Sequence, residues 1–292
     1  MNRREWNKLA LGGLATLAAP ATGWANNWLD TKPNSKIKGV QIGIQSYSLR
    51  DRGLAEAIQA IAEVGINSCE LWSGHVEPKE LTGEERQKWR MTVSLDEMKK
   101  VADQFKKAGV QLSAYNYSFR DQMSDGEIER GFQMAKALGV NTMTASSTVS
   151  IVKRIDPFAQ KYKIRVGLHN HDKIEDLNEF SNAASFERAT QGASPFIVFN
   201  LDVGHFVAAN DDPIAFIRQH HERIVMIHLK DRKRNHGSNE VFGQGETPLK
   251  EVLALLRDNK YAFPANIEYE YKGADTVTEI KKCLDYCKQA LA

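Results

Sequence analysis

Cysteine is scarce in this chain and is placed where thiol chemistry has no use for it. There are three cysteines in 292 residues. None stands in a C-x-x-C pair or a zinc-knuckle spacing, so no disulfide framework or cysteine-ligated zinc site is expected. Cys283 and Cys287 fall one helical turn apart in EIKKCLDYCKQALA, and Cys69 falls inside an apolar run, so all three read as packing residues. A surplus of one charge is also missing. The net charge is +2, and basic and acidic residues are interspersed, which leaves no basic stripe for a nucleic acid. No run after the first residues is long and apolar enough to span a bilayer, so no stable membrane insertion is expected. No Pro-, Gly- and Ser-rich linker divides the chain. No G-x-G-x-x-G follows the first apolar run and no glycine-rich phosphate cradle appears elsewhere. What remains is 42% hydrophobic, enough at this length for one large or two small domains with a substantial core.

The first residues stand apart from that core. MNRREWNKLALGGLATLAAPATGWANN pairs Arg3 with Arg4, continues through a weakly apolar Gly- and Ala-rich stretch and ends in small residues. It resembles a twin-arginine export signal. Residues 1–25 are therefore expected to form the signal, with Ala21 or Ala25 as its last residue, and 26–39 a lead-in to the fold. The expected location is the bacterial periplasm. Twin-arginine export carries folded proteins, often with a metal or cofactor already bound.

From residue 40 a strand-like run and a helical run alternate eight times. The expected strands are 40–47, 67–72, 111–117, 141–146, 164–170, 196–202, 223–229 and 265–271. The expected helices between and after them are 54–65, 94–109, 125–139, 151–162, 175–189, 213–221, 249–259 and 276–291. Gly65, Gly109 and Gly139 close three of these, as helix C-termini prefer. Eight such units predict one α/β domain over 40–292, a (β/α)8 TIM barrel. An open doubly wound sheet is the alternative, disfavoured by the repeat count and the missing dinucleotide motif. The longest connection, SGHVEPKELTGEERQKWRMTV, is expected as a loop over one barrel end.

In a barrel of this type the site is built at the carboxyl ends of the strands. Acids and histidines do collect there: Glu70 and His75 after strand two, His169 and His171 on strand five, Asp202 and His205 on strand six. His228, Lys230 and Asp231 follow on strand seven, and Glu268 and Glu270 on strand eight. A single histidine at such a place is more often a satisfied core or surface residue, but five at one rim is a pattern. Residues i and i+2 of a strand share a face, so His169 and His171 point together into the mouth. Asp202, His228 and Glu268 end three successive strands and can converge with His169. Two imidazoles and two carboxylates suit one divalent ion, Zn, Mn, Co or Fe(II), with positions left for two substrate oxygens. The alternative is a polar mouth that binds a sugar by hydrogen bonds alone.

The ordered set LHNH, LDVGH, HLKD and IEYE on strands five to eight resembles the xylose isomerase-like barrel superfamily of sugar isomerases, epimerases and dehydratases. The resemblance covers the chain after the signal. Its ketose 3-epimerases hold the metal by glutamate, aspartate, histidine and glutamate. Asp202 follows His169 by 33 positions and His228 follows Asp202 by 26, as expected for the first three, and Glu268 falls on the fourth. The resemblance makes His205 a substrate contact and places Arg234 near the substrate. Glu70, His75, Glu246 and Glu270 join this set as candidate substrate contacts at the rim. One departure matters. The epimerases keep an acid/base glutamate where this chain has His169, and an imidazole bound to a metal has no lone pair left for that task. The two-glutamate epimerisation mechanism is therefore not expected here. His171 and Lys230 are the candidate bases, joined by Glu268 among the catalytic candidates, and Glu70, Glu246 and Glu270 are weaker choices. The DNA-repair relative endonuclease IV needs histidine ligands on strand three, and AYNYSF has none.

The implied chemistry is removal of a proton beside a carbonyl whose oxygen, with a neighbouring hydroxyl, lies on the metal, giving an enediolate. Reprotonation gives isomerisation or epimerisation of a non-phosphorylated sugar or keto-sugar. Expulsion of a β-leaving group gives the alternative, a lyase or hydratase of a 3-keto-glycoside. A catalytically silent sugar-binding barrel is the third reading. The expected partner is a small carbohydrate rather than a nucleic acid, and the sequence leaves room for a homo-oligomer without specifying one.

Overall fold

The computed structural model describes residues 32–292, and the signal-like segment 1–25 lies outside them, as do residues 26–31 of the lead-in. In the unit from Pro33 to Ala292 eight parallel strands close on themselves: β1 Val40–Gln45, β2 Ser68–Trp72, β3 Gln111–Asn116, β4 Thr142–Ala145, β5 Arg165–His169, β6 Ile197–Asp202, β7 Ile224–Leu229 and β8 Ala265–Ile267. Each strand pairs with its sequence neighbour, and β1 pairs with both β2 and β8, which removes every edge. The fold is the expected (β/α)8 barrel. Lys36–Ile37 of the lead-in folds back antiparallel on β1.

Among the described residues ten α-helices surround or cap the barrel: α1 Leu54–Val64, α2 Gly83–Thr92, α3 Leu95–Lys107, α4 Asp125–Ala137, α5 Val152–Tyr162, α6 Ala183–Thr190, α7 Val203–Ala208, α8 Pro213–His220, α9 Leu249–Asp258 and α10 Thr276–Leu291. Their apolar stripes supply the outer core: α9 buries Leu249, Val252, Leu253 and Leu256, and α10 buries Ile280, Cys283, Leu284 and Cys287 against it. The three cysteines are free and buried, as their apolar surroundings predict. Gly65, Gly109 and Gly139 all take positive φ at helix ends.

Three local expectations are corrected. The connection after β2 is not all loop: Thr82 precedes a helix, α2, none of whose residues is buried. It lacks an apolar stripe, so periodicity could not reveal it, although Glu84 and Glu85 open it and Arg90 closes it as the helix dipole favours. The helix expected over 175–189 begins only at Ala183, where Asn182 and Ser185 form a capping box. Residues before it form a loop tied down by Asn178, whose carbonyl accepts from Val149 N–H at 2.8 Å. The eighth strand stops at Ile267 rather than 271. Beyond it Glu268 N–H still donates to Leu229 O, but Tyr269 N–H donates to Ser48 Oγ at 2.9 Å, so a side chain replaces the ladder.

The barrel interior below the mouth is polar and needs room. At Gly43 of β1 an added Cβ would lie 2.1 Å from Asn266 Oδ1, so only glycine lets the Asn266 amide cross the barrel to Glu70, where it donates at 3.0 Å.

Candidate metal centre

Four buried side chains converge at the carboxyl end of the barrel: His169 ends β5, Asp202 ends β6, His228 lies on β7 and Glu268 follows β8. One ligand atom from each lies within 4.8 Å of every other. The backbone fixes them in different ways. Asn170 stitches β5 to β6, accepting from Asp202 N–H at 2.9 Å and donating to Asp202 O at 3.1 Å. Asp202 Oδ1 accepts from His205 N–H at 2.7 Å and so caps the short helix α7, which the sequence reading did not anticipate. That leaves Oδ2 facing the cluster.

Glu70 fixes His228. It points the same way as Trp72 on β2 but one layer deeper, fully buried, so it faces no substrate, contrary to its expected role. Its carboxylate lies 2.5 Å from His228 Nε2 and accepts from Gln45 Nε2 at 2.8 Å and Thr144 Oγ1 at 2.5 Å. With Nε2 held by a carboxylate, Nδ1 is turned toward Glu268 Oε2 at 3.1 Å, the arrangement that orients a metal-binding histidine.

The donor set fits a divalent ion. His169 Nδ1 is buried and makes no hydrogen bond, a loss of about 1–3 kcal/mol unless an ion takes up its lone pair. Asp202 Oδ2 is buried with the Lys230 ammonium 3.1 Å away, and keeps lone pairs for an ion. Burial, then the neighbouring His228 and His171, hold the His169 pKa well below the usual range, so its imidazole is neutral and its lone pair is available. Burial opposes charge on His228, but Glu70 and Glu268 outweigh it and raise its pKa well above the usual range. An ion at Nδ1 would displace that proton. The carboxylates of Glu70, Asp202, Glu268 and Glu270 outnumber the buried cations Lys230 and His228, which leaves room for positive charge.

Above the cluster a cavity of about 350 Å³ is lined by His171, His205, Lys230 and Glu270 together with Gln45, Tyr47, Trp72 and Arg120. Its size suits a small ligand. Lys230 Nζ stands among carboxylates, 2.6 Å from Glu270, 3.0 Å from Glu268 and 3.1 Å from Asp202 Oδ2, and 3.0 Å from His205 Nε2. Burial opposes its charge, yet the three acids hold its pKa well above the usual lysine value. In the metal-free chain it is therefore an ammonium and not the base the sequence suggested; an ion on Asp202 and Glu268 would lower that pKa and ease release of the proton. Glu268 is correspondingly ionised: burial works against this, but Lys230 and His228 prevail and lower its pKa. His171 lines the cavity with Nδ1 3.3 Å from Glu179 Oε2, while its backbone N–H donates to Phe180 O at 2.8 Å. Hydrogen bonding to His171 is the largest cause that lowers the Glu179 pKa, so the pair is an imidazole backed by a carboxylate.

The remaining expected residues lie elsewhere. His75 is buried outside the cavity lining, its Nδ1 3.0 Å from Ser46 Oγ and its Nε2 3.2 Å from Leu49 O, and burial lowers its pKa. Arg234 and Glu246 are exposed and meet each other through the Arg234 N–H, 2.9 Å from Glu246 Oε2. The arginine near the site is Arg232, which lies 2.5 Å from His205 Nδ1 and 3.0 Å from Asp172 Oδ2. The alternation His228, Lys230, Arg232 could have revealed it, since all three share a face. Nothing local marks Glu179, which lies in the segment expected as helix.

A (β/α)8 barrel with a buried His-Asp-His-Glu cluster at its carboxyl end defines the class. The family model "Xylose isomerase-like TIM barrel" matches residues 58–290, and the chain belongs to that family. No curated protein matches. Solved structures share the fold at low identity. A sugar phosphate isomerase/epimerase from Parabacteroides distasonis is 18% identical, with a TM-score of 0.63, over 85% of this chain and 95% of that one. A probable 3-DHS dehydratase, AsbF, from Bacillus anthracis is 14% identical, with a TM-score of 0.65, over 85% and 99%. The 3-keto-D-glucoside 4-epimerase YcjR from E. coli is 12% identical, with a TM-score of 0.64, over 86% and 99%.

Proposed function

We propose that this protein is a divalent-metal-dependent enzyme of the sugar isomerase and epimerase kind, acting on a non-phosphorylated keto-sugar through an enediolate. The observation that carries the reading is the buried His169, Asp202, His228 and Glu268 set, in which His169 Nδ1 has no partner, directly beneath a cavity lined with proton-transfer groups. Zn, Mn, Co or Fe(II) suits the donors. When bound, such an ion withdraws electron density from a carbonyl and so acidifies the adjacent C–H. The chain supplies the rest. His171, oriented by Glu179, accepts the proton; Lys230 gives a proton or balances the oxygen that gains charge; His205 and Glu270 hold hydroxyls.

A second reading, elimination from a 3-keto-glycoside, is favoured by one specific feature. The two transfer groups are an imidazole and an ammonium, not two carboxylates. A base and a separate acid in one cavity suit removal of a proton and protonation of a leaving oxygen. Incubation in deuterated water with a panel of keto-sugars and 3-keto-glycosides separates the readings. Deuterium gain with an intact carbon–oxygen bond supports isomerisation or epimerisation, and release of an aglycone supports elimination. No exchange with any of them, ion present, would leave a binding barrel and sink the enzymatic reading.

We also propose that the protein is exported to the periplasm, on the strength of Arg3, Arg4 and the Gly- and Ala-rich run that follows. Changing both arginines to lysine should shift the protein from the periplasmic to the cytoplasmic fraction in its uncleaved form. An unchanged distribution would contradict twin-arginine export.

A further inference from the structure

The cavity over the metal cluster does not end at Trp72. A second chamber of about 480 Å³ opens beside it, and Trp72, Asn116, Ser118 and Arg120 line both, so the two form one trough. The far wall comes from α2 and the turn before it, the insertion after β2. The larger volume lies away from the proton-transfer groups, so a single sugar at the histidine end leaves most of the trough empty.

The lining of the second chamber has a defined chemistry. Lys79, Arg86, Arg90 and Arg120 face one carboxylate, Glu77. Glu77 is buried and spent on Arg90, which it holds through two bonds of 2.9 Å. Among the described residues the other three cations have no carboxylate in hydrogen-bonding reach. Lys79 meets the main-chain carbonyls of Arg50 and Arg52, and Arg120 those of Phe119 and Ser146. Arg86 donates from Nη2 to Leu81 O at 2.6 Å and stands 3.7 Å from Glu77, so its guanidinium holds no hydrogen-bonded carboxylate. Cations that line a chamber without a bonded carboxylate favour one carried in by a ligand. At the junction the Trp72 indole is seated on Gly74, where a Cβ would lie 2.2 Å from the ring. Tyr47 meets the indole edge-on at 5.0 Å. A large, positionally fixed aromatic at a cavity junction is suited to the apolar face of a sugar ring.

We infer that the second chamber is a subsite for the distal unit of an acidic glycoside: a ring joined to the reacting sugar across Trp72 and carrying a carboxylate toward Arg86, Lys79 and Arg120. The inference rests on the carbohydrate reading above and adds its substrate class. A phosphate on the reacting sugar offers the same charge, but the chamber has space for a ring as well as its anionic group.

Calorimetric titration of the metal-loaded full chain with cellobiose, with the corresponding disaccharide ending in glucuronate, and with glucose 6-phosphate tests this. The uronate disaccharide should bind tighter than cellobiose by about tenfold or more, the value of one or two charge-assisted hydrogen bonds. Added salt should shrink that ratio. In Arg86→Gln, and in Lys79→Gln at an exposed position that does not threaten the fold, the ratio should fall toward one. Equal affinities, no binding by any of the three, a hexose phosphate that binds most tightly, or a preference unchanged in both variants would overturn the proposal. The measurement needs no turnover, so it can fail while deuterium exchange into a free keto-sugar succeeds, and the reverse.

Discussion

Asp202→Ala protein, purified without chelator, should contain almost no divalent metal, and the native chain should contain about one ion. Proton exchange into any substrate should fall about a thousandfold, since loss of the ion removes several kcal/mol of stabilisation from the developing oxyanion. Two functions meet in this side chain, and two variants separate them. Oδ1 caps α7 through His205 N–H, and Oδ2 faces the cluster with the Lys230 ammonium 3.1 Å away. Asp202→Asn keeps an oxygen for the cap but removes the negative charge, so it should lose the metal without the cap penalty of about 1 kcal/mol that alanine incurs. Glu268→Ala should likewise lose the ion. Elemental analysis with thermal melts reads both effects. A fully loaded Asp202→Asn protein would show that Oδ2 is not a ligand.

The barrel and the four-residue cluster were legible because both follow from strand periodicity. An apolar run that ends in His169, Asp202 or His228 places its last polar residue at the mouth once the strand direction is known. Legibility failed where position depends on a fold-back. Glu70 belongs to the same face as the mouth residues but lies one layer down, and depth along a strand cannot be read until the register of β2 against β1 is known, here Gln45 opposite Glu70. The family resemblance points to Arg234, six positions after His228, and not to Arg232. The short ribbon in which Asp231 and Arg232 pair with Glu240 and Asn239 keeps Arg232 inward and lets the chain turn before Arg234. Glu179 and the basic chamber both come from connections after β5 and β2, whose courses are fixed by individual tethers such as Asn178 and not by a repeating pattern.

Lys230→Met should lower turnover by about 10²–10⁴-fold, the usual span for loss of a positioned proton-transfer group, without emptying the metal site. The geometry makes the second half of this expectation the more telling. Nζ stands 3.1 Å from Asp202 Oδ2 and 3.0 Å from Glu268 Oε2, so in the metal-free chain the ammonium offsets the charge of two of the ligands. A divalent ion bound to those carboxylates meets a like charge beside it, and methionine, of similar length, removes the repulsion. Metal affinity should therefore rise in Lys230→Met while catalysis falls. The metal-free variant should suffer instead, because Asp202, Glu268 and Glu270 lose their shared buried cation, a change that costs about 3–5 kcal/mol when one partner of a buried pair is removed. Thermal melts with and without chelator would then differ more for the variant than for the native chain. A variant that loses its metal would mean that Lys230 props the ligands in place, and one that keeps full turnover would remove it from the chemistry.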